Sequence, residues 1–480
     1  MVGMMSSIKA VKALGVGMLC STALAAVAQP TAHRYSLTTR DTAEIAPLAI
    51  SVQLNNNPGT LKLNSGTTKG KTSACNLDSN KPIAHEEVAR VGEKLDKLSV
   101  YVTGNKVTNP PTAFMAKPNS DGSSSYYVPS GSHQGKLLGI QSSDIKWQLK
   151  KGDGAHFKTP GAMSSGRIYV SNGDLQFYAS PDGAIVQPDP HNPEDISSRE
   201  LWGFIEFSHV ADPSSKNETI TVNLSFVDWV ALPLGMNVTY QDGKTASVPG
   251  LKADGLVNIC NELSGLDSFW PKLCMKGADK KTPIRIVSPN KYLTLHPEDH
   301  EAATYYEPYI DMVWNKYKTS SLKINTQSDG PNGDKKVANG TIITCTVKGD
   351  DDKLECDNDA GTFDRPTTAD IYGCNSGPFA NGDLEKESWS RARVRPRLCA
   401  AFVRSTAHLD GEQPSRDIPV DMYYKYNVTN HYARAVHENL IGGMGYAFSY
   451  DDVSADESVN TAGLVSVEEP LALDVFVNMA

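Results

Sequence analysis

The feature that most limits the fold of this chain is a succession of short, β-favouring runs from about residue 97 to residue 245. Clusters of Gly, Pro, Asn and Asp separate these runs, which are LSVYV, SYYVP, GRIYVS, LQFYA, GAIVQP and the longer stretch WGFIEFSHVADPSSKNETITVNLSFVDWVALPLG. Regularly spaced short strands with turn signals are typical of β-sandwiches and β-barrels. Together with a strand expected at 44–54, they predict a β-barrel or sandwich domain over residues 34–245.

The pattern changes after this region, where residues 246–444 are predicted to form a mixed α/β domain. Apolar residues at helical spacing predict helices in GLKADGLVNICNELSGL, YEPYIDMVWNKYKT, RPRLCAAFVRSTAHL and TNHYARAVHENLIGG, and strands are predicted in IRIVSPNKYL, SLKINTQ and GTIITCTV. Near the C-terminus LALDVFVN returns to strand. We therefore expect residues 445–480 to rejoin the first domain.

The N-terminus has the pattern of a secretory signal peptide over residues 1–28. Two lysines precede an apolar stretch, and Ala26, Val27 and Ala28 form a small-residue cleavage site before Gln29. The apolar stretch is short for a membrane span, and no later run of about 18 apolar residues follows. The mature protein is predicted to be secreted, with no membrane partner.

The charge balance argues against a nucleic-acid partner. The chain carries 46 Lys and Arg against 55 Asp and Glu, a net charge of −9, and it has no long basic block. An uncharged substrate fits this balance better. No cluster of Cys and His has metal-ligand spacing, and Asp350 to Asp352 are explained by a solvated hairpin turn, so we expect no metal.

The cysteines are interpreted as disulfide partners because an exported protein folds in an oxidising compartment. Removal of Cys20 with the signal peptide leaves seven cysteines. Proximity in the sequence pairs six of them and leaves Cys75 over, although spacing alone does not establish connectivity. The hypothetical pairs are Cys260 with Cys274, Cys345 with Cys356, and Cys374 with Cys399.

Two isolated acids in apolar runs, Glu206 in FIEF and Asp228 in FVDW, are the candidate catalytic residues. Burial of an unpaired carboxylate costs free energy, so each of these acids must be exposed to solvent, paired with a cation or used in catalysis. In a strand Trp202, Phe204, Glu206 and Ser208 share one face. A hairpin that places Asp228 opposite Phe204 would set the two acids about 8 Å apart on one face. A one-residue slip would separate them, and simple exposure to solvent remains the alternative.

Six motifs, in order along the chain, resemble glycoside hydrolase family 64. They are SGRIYVS (165–171), GAIVQPDPHNP (183–193), WGFIEFSH followed by NLSFVDWVALPLG, YEPYIDMVWNKY (306–317), RPRLCAAFVRST (395–406) and TNHYARAVHENLIGGMGYAFSYDDV (429–453). These enzymes are laminaripentaose-producing endo-β-1,3-glucanases related in fold to thaumatin-like proteins. The resemblance implies a mainly β plus α/β fold, in which a thaumatin-like β-barrel or sandwich domain and a mixed α/β domain enclose a wide groove.

The resemblance also implies an activity and its mechanism. Glu206 matches the general acid and Asp228 the general base of an inverting hydrolysis, whose carboxyl groups stand roughly 6.5–9.5 Å apart. The expected substrate is β-1,3-glucan of the laminarin or curdlan type, cut into short products such as laminaripentaose. No cofactor is implied, and we expect a monomer.

Further residues are predicted to bind substrate. Some match sugar-binding positions of the family or flank the acids, and others belong to motifs near the C-terminus. A helix start and a turn explain the C-terminal motifs equally well. The predicted substrate-binding residues are Ser208, Asn223, Ser225, Trp202, His431, Tyr432, Arg434, Asp451 and Asp452.

Two other classes of function remain open at this point. A non-catalytic thaumatin-like protein would hold β-1,3-glucan in the same cleft without cutting it, whereas a structural cell-wall protein would neither bind nor cut. Release of reducing sugar from laminarin separates the first expectation from both.

Overall fold

The computed structural model describes residues 45–55, 97–108, 110–131, 136–150, 154–211, 217–328, 340–349, 352–380, 387–455 and 460–478. The predicted signal peptide, the leftover Cys75 and the region between residues 56 and 96 lie outside these ranges.

Short strands dominate the fold, in agreement with the sequence pattern. In chain order they are β1 (Ala49–Asn55), β2 (Lys97–Lys106), β3 (Thr112–Pro118), β4 (Ser124–Tyr127), β5 (Leu138–Ile140), β6 (Trp147–Lys150), β7 (Ala155–Lys158), β8 (Met163–Ser171), β9 (Phe177–Ala179), β10 (Ile185–Val186), β11 (Trp202–Ala211), β12 (Glu218–Leu224), β13 (Trp229–Val230), β14 (Leu234–Tyr240), β15 (Lys244–Val248), β16 (Cys274–Lys276), β17 (Pro283–Val287), β18 (Leu322–Asn325), β19 (Ile342–Lys348), β20 (Lys353–Cys356), β21 (Gly361–Phe363), β22 (Glu412–Gln413), β23 (Val465–Glu468) and β24 (Pro470–Asn478).

The helices lie almost entirely in the second half of the chain. They are α1 (Ser142–Ile145), α2 (Gly255–Ser264), α3 (Pro289–Leu295), α4 (His300–Thr304), α5 (Glu307–Tyr317), α6 (Thr368–Gly373), α7 (Trp389–Val403) and α8 (His431–Asn439). The four predicted helices correspond to α2, α5, α7 and α8. Within the described ranges, no helix combines the length and the apolar composition that crossing a membrane requires.

The segment predicted as one strand, IRIVSPNKYL, divides into β17 and α3. Ser288 ends the strand and caps the helix, because its hydroxyl accepts a hydrogen bond from the Lys291 backbone N–H at 3.3 Å. Pro289 then occupies the first helical position, where its missing N–H costs nothing. This division brings Lys291 close to one of the candidate catalytic acids, as described below.

Two large sheets form the part of the chain that carries the candidate acids. The larger one has eight strands in the order β23-β12-β11-β8-β2-β3-β4, with β6 also paired to β2, and the other has the order β15-β14-β24-β1-β7. The C-terminal strand β24 lies between β14 and β1, so the end of the chain returns to the sheet that its beginning forms. Among the described strands each sheet is open, and the predicted barrel is therefore wrong.

Alternation along the strands decides which face of the large sheet joins the core. Ile205 of β11, Ile168 of β8 and Val102 of β2 are at most 1% exposed, and they belong to the same buried cluster as Val52 and Val475 of the other sheet. Each fully buried aliphatic side chain stabilises the fold by about 1.5–3 kcal/mol. The residues that alternate with Ile205 and Ile168 project from the opposite face, where Arg167 and Glu206 lie next to the buried aromatic side chains Tyr169 and Trp202. We call this the polar face.

The arginines of RARVRPR lie in α7, so this helix begins earlier than the predicted segment RPRLCAAFVRSTAHL. Pro396 is accommodated inside α7 although it provides no N–H for the carbonyl of Ala392. In a helix, side chains two positions apart face different directions. Arg391 accordingly donates to the Thr362 carbonyl at 2.7 Å, while Arg397 donates to Gln327 at 3.2 Å.

The three predicted cysteine pairs are confirmed as compatible with disulfides. The Cα atoms of Cys260 and Cys274 are 5.4 Å apart, those of Cys345 and Cys356 are 4.0 Å apart, and those of Cys374 and Cys399 are 5.9 Å apart. Cys345 and Cys356 lie opposite each other on β19 and β20, as the predicted hairpin requires.

Candidate active site

The candidate site is built on the polar face of the large sheet. The backbone register places Glu206 of β11 opposite Arg167 of β8 and opposite Asn223 of β12. Directly opposed residues of neighbouring strands point to the same face. One row across the sheet therefore carries an amide, a carboxylate and a guanidinium side by side.

The hairpin register that would place Asp228 opposite Phe204 does not form. Glu206 instead pairs with Asn223 and Ile205 pairs with Leu224, where β12 ends, so the one-residue slip named as the alternative is the register observed. Continued in this register, the strand would carry Asp228 to the core face, because the side-chain period is two.

A bend in the chain, and not strand alternation, positions Asp228. After Leu224 the chain leaves the strand, and Ser225 forms an isolated bridge with Tyr446. The Asp228 carbonyl then accepts a hydrogen bond from the Ser288 N–H at 2.9 Å, immediately before β13 pairs with β17. Asp228 is therefore held by contacts with two distant segments of the chain.

Glu206 is held by an arginine through one of its two carboxyl oxygens. The Nε and Nη2 atoms of Arg167 donate to Glu206 Oε1 at 3.0 and 2.7 Å, and the side chains are 22% and 20% exposed. The guanidinium carbon lies 4.7 Å from the ring centre of Phe204, and Nη1 donates to Gln187. Glu206 Oε2 makes no hydrogen bond with any described residue.

The two acids influence each other electrostatically. Burial raises the pKa of Glu206, Arg167 opposes that rise, and the charge of Asp228 adds to it, with the result that the pKa lies above its usual value. Burial also raises the pKa of Asp228, while Lys291 and Arg167 act to lower it. Two coupled acids with different cationic neighbours can hold one proton and one charge at the same pH.

Sequence reasoning missed three residues of this site. Arg167 could have been identified from the sequence, since a single cation inside the apolar run GRIYVS requires an ionic or hydrogen-bond partner. Lys291 and Tyr446 could not, because the fold brings them in from distant segments. The Tyr446 side chain is 2% exposed, and its hydroxyl has no hydrogen-bond partner among the described residues. Burial raises its pKa, and Asp452, Asp451 and Glu206 add to that rise.

The sequence model of one protein family, described as the β-1,3-glucanases of glycoside hydrolase family 64, matches residues 89–477. The chain belongs to glycoside hydrolase family 64. The matched range includes the whole candidate site, from Arg167 to Tyr446.

Curated relatives agree with this family. A glucan endo-1,3-beta-glucosidase from Cellulosimicrobium cellulans is 28% identical over 298 residues, which are 62% of this chain and 50% of the relative. A second protein with this name, from Arthrobacter sp. (strain YCWD3), is 27% identical over the same proportions of both chains. The chain thus spans about half the length of the curated relatives it matches.

Solved structures of the family share the fold. A laminaripentaose-producing beta-1,3-glucanase in complex with laminaritetraose superimposes with a TM-score of 0.66 at 22% identity, covering 90% of this chain and 99% of the other. A beta-1,3-glucanase domain from Clostridium beijerinckii gives a TM-score of 0.59 at 18% identity, covering 91% and 100%. At these identities the likeness establishes the fold alone.

Three of the predicted substrate-binding residues of this family 64 chain lie on the polar face near the acids. Asn223 lies beside Glu206 and is 6% exposed, and Ser208 is half-buried opposite Thr221 on β12. Ser225 lines a small cavity with Phe204, Phe226 and Trp229. Their contact with sugar stays a prediction.

Three other predicted substrate-binding residues are buried and have protein partners, and their contact with sugar stays a prediction. Trp202 is 1% exposed, and its indole N–H donates to the Ser197 carbonyl at 2.8 Å. Tyr432 is fully buried, and its hydroxyl donates to the Phe226 carbonyl. Asp451 is also fully buried. Trp202 lies on the strand that carries Glu206, and Tyr432 binds the segment that leads to Asp228.

His431, Arg434 and Asp452 have structural surroundings of their own. His431 packs edge-on against Trp270, 5.0 Å between ring centres, and burial with the nearby Arg434 lowers its pKa to about 4. Arg434 forms a 2.8 Å ion pair with Glu262 that joins α8 to α2. Asp452 is half-buried next to Asp451. No hydrogen bond joins these side chains to either catalytic candidate within the described part of the chain, and a role in sugar binding stays a prediction.

Asp451 is the centre of a buried ionic network behind the site. Its carboxylate accepts hydrogen bonds from Arg404 at 3.0 Å, from His437 Nε2 at 2.9 Å and from the Ala447 N–H at 2.8 Å. Burial raises the pKa of Asp451, but His437 and Arg404 outweigh it and hold the pKa below its usual value. The network joins α7 and α8 to the segment that contains Tyr446.

We expect Asp451→Asn to lower the free energy of unfolding by about 3–5 kcal/mol, because the change leaves Arg404 buried without its counter-charge. Chemical denaturation under non-reducing conditions would measure the loss. Asp410→Asn is the matched control, since Asp410 is 99% exposed and an ion pair at the surface contributes little to stability. Equal losses for the two variants would contradict a structural role for the network.

No group of three or more His, Cys, Asp or Glu side chains able to hold a metal ion occurs among the described residues.

Proposed function

We propose that this protein is a secreted endo-β-1,3-glucanase that hydrolyses glucans of the laminarin or curdlan type with inversion at the anomeric carbon. One observation carries the proposal. In a family 64 chain, Glu206 lies on the polar sheet face in an ion pair with Arg167, and the charge of Asp228 helps to raise the pKa of Glu206. Both curated relatives are named glucan endo-1,3-beta-glucosidases, which favours hydrolysis over the non-catalytic glucan-binding alternative.

In the proposed reaction each acid has one role. Glu206 donates its proton to the glycosidic oxygen as the bond from that oxygen to the anomeric carbon breaks. Water attacks the same carbon from the opposite side, and Asp228 accepts the proton that this water loses. The products are two shorter glucans, one with a new reducing end. Proton exchange with solvent then restores the initial charges of Glu206 and Asp228.

The surroundings of the acids support these roles. A general acid has to be protonated at the working pH, and the raised pKa of Glu206 acts in that direction. A general base has to be ionised, and Lys291 and Arg167 both favour the charged form of Asp228.

The remaining parts of the proposal concern substrate and location. The solved relative with the higher TM-score is described as laminaripentaose-producing and as a complex with laminaritetraose, which supports short β-1,3-linked oligosaccharides as products. We further propose that the glucan lies in a wide groove of thaumatin-like form, that the protein acts as a monomer without a cofactor, and that the N-terminal signal directs its secretion.

Wild-type protein is expected to release reducing sugar from laminarin and curdlan but not from a β-1,4-glucan such as carboxymethylcellulose. A reducing-end assay measures both, and chromatography of early products separates internal cleavage from removal of single glucose units. Glucan binding without release would support the binding-protein alternative, and absence of both would support a structural protein.

The same digest tests inversion. Proton NMR during the first minutes should show new reducing ends in the α configuration, since a single displacement converts a β linkage into an α product. Mutarotation then produces the β form. Initial appearance of the β form would indicate a retaining mechanism and would contradict the role given to Asp228.

A further inference from the structure

We propose that Arg167 is a positioning residue for the general acid: it holds Glu206 through Oε1, so that Oε2 is the atom that carries the proton to the glycosidic oxygen. The inference rests on the proposed function, in which Glu206 is the acid, and it adds the device that orients this acid.

The position of Arg167 follows from the sheet. Arg167 and Glu206 are directly opposed on β8 and β11, both central strands of the eight-stranded sheet. Ile168 and Ile205, the neighbours of these residues along the two strands, are fully buried on the core face. A register slip would move these isoleucines to the polar face, so burial of the core maintains the pairing of arginine and acid.

The guanidinium is itself held on two further sides. Phe204 supports its flat face at 4.7 Å, and Gln187 accepts a hydrogen bond from Nη1. Nε and Nη2 converge on Glu206 Oε1 at 3.0 and 2.7 Å. Arginine loses less freedom per hydrogen bond than lysine because its donors are coplanar. Arg167 therefore favours the orientation of Glu206 in which Oε1 accepts both hydrogen bonds.

This geometry distinguishes the two carboxyl oxygens of Glu206. Arginine has only donors, so an oxygen that accepts two of its N–H groups is disfavoured as the site of a proton. Oε2 has no hydrogen-bond partner among the described residues and remains for the proton. The clamp thus selects the oxygen that can donate, although its charge opposes protonation of the carboxyl as a whole.

Charged and titratable neighbours reach Glu206 from three elements. Arg167 and Tyr169 belong to β8, Asp228 to the bend after β12, and Tyr446 to the C-terminal segment. Arg167 is the cation that lowers the pKa of Glu206, whereas burial and Asp228 raise it. Removal of Arg167 should therefore raise the pKa of Glu206.

The test is the pH profile of Arg167→Met on laminarin. The basic limb of kcat/KM reports the pKa of the acid in the free enzyme and should move upward by about 1 pH unit or more. We expect kcat at the optimum to fall about 10- to 100-fold because the acid loses its orientation, with little change in KM. A purely structural role would lower activity without moving the limb.

Two further variants separate charge from geometry. Arg167→Lys keeps the charge, so the limb should stay in place while kcat falls about tenfold, since an ammonium cannot reproduce the planar fork. Gln187→Leu should lower kcat several-fold by the same reasoning, also without a shift. Arg365→Met is the matched control, because Arg365 pairs with Glu307 and Asp311 on α5, and its profile should equal that of wild type.

An unchanged basic limb in folded Arg167→Met would overturn the inference, whatever happens to kcat. If that variant does not fold, wild-type kcat in both Arg167→Lys and Gln187→Leu would overturn it equally. Inactivity of the wild-type protein on every β-1,3-glucan would instead refute the proposed function, so the two failures are distinguishable.

Discussion

Glu206→Gln is expected to lower kcat on laminarin by at least about 100-fold, the lower end of the usual contribution of general acid catalysis. Glutamine keeps the size of the side chain and an oxygen for Arg167, but it has no proton to give to the leaving oxygen. Binding of laminari-oligosaccharides should persist, and calorimetry of the inactive variant would measure it. The sheet keeps its core, because Glu206 is on the polar face.

The leaving group makes this prediction specific. A dinitrophenyl laminari-oligosaccharide departs without protonation, so the defect of Glu206→Gln should largely disappear on that substrate. Glu200→Gln is the matched control, because Glu200 is a half-buried acid whose pKa is raised by burial and by Asp174. Full activity of Glu206→Gln on laminarin would remove Glu206 from the mechanism, and an equal defect on both substrates would assign it another role.

Asp228→Asn is expected to lower kcat about 10²- to 10⁴-fold on laminarin, because no group then accepts the proton of the attacking water. The defect should be equally large on the dinitrophenyl substrate, since water attack does not become easier when the leaving group improves. Initial rates on both substrates would show this contrast with Glu206→Gln.

A half-buried acid outside the site provides the control for Asp228. Asp254 precedes α2 and caps it with no side-chain hydrogen bond, so Asp254→Asn should retain wild-type rates on both substrates. Recovery of Asp228→Asn on the activated substrate would contradict its role as the base, because that pattern belongs to the general acid.

Several features of this fold were predictable because they depend on neighbours in the sequence. The alternation of β11 follows from local periodicity, and the pairs Cys260–Cys274, Cys345–Cys356 and Cys374–Cys399 each close a short loop. The helices α2, α5, α7 and α8 show their apolar spacing directly. Pro396 lies inside α7, within the segment that was predicted as a helix.

The candidate site was only partly predictable. The two acids could be identified because a carboxylate among apolar residues is costly unless it is solvated, paired or catalytic. This cost does not depend on where the strand lies in the fold. The arrangement of the two acids could not be predicted. Glu206 pairs with Asn223, a register that strand alternation alone does not specify, and a bend after β12 positions Asp228. Burial of Trp202, Tyr432 and Asp451 was equally invisible, since the residues that cover them come from other segments.

The sequence by itself determined the strand-rich class and located the two acids, and it suggested the three cysteine pairs, because each of these depends on residue type and short-range spacing. Only the tertiary structure decided that Arg167 binds Glu206 and that Lys291 lies near Asp228. It also decided that Asp451 forms a buried ion pair with Arg404. These contacts join residues 39 to 63 positions apart in the sequence. Their formation depends on sheet register and on burial of the common core, which are properties of the folded chain as a whole.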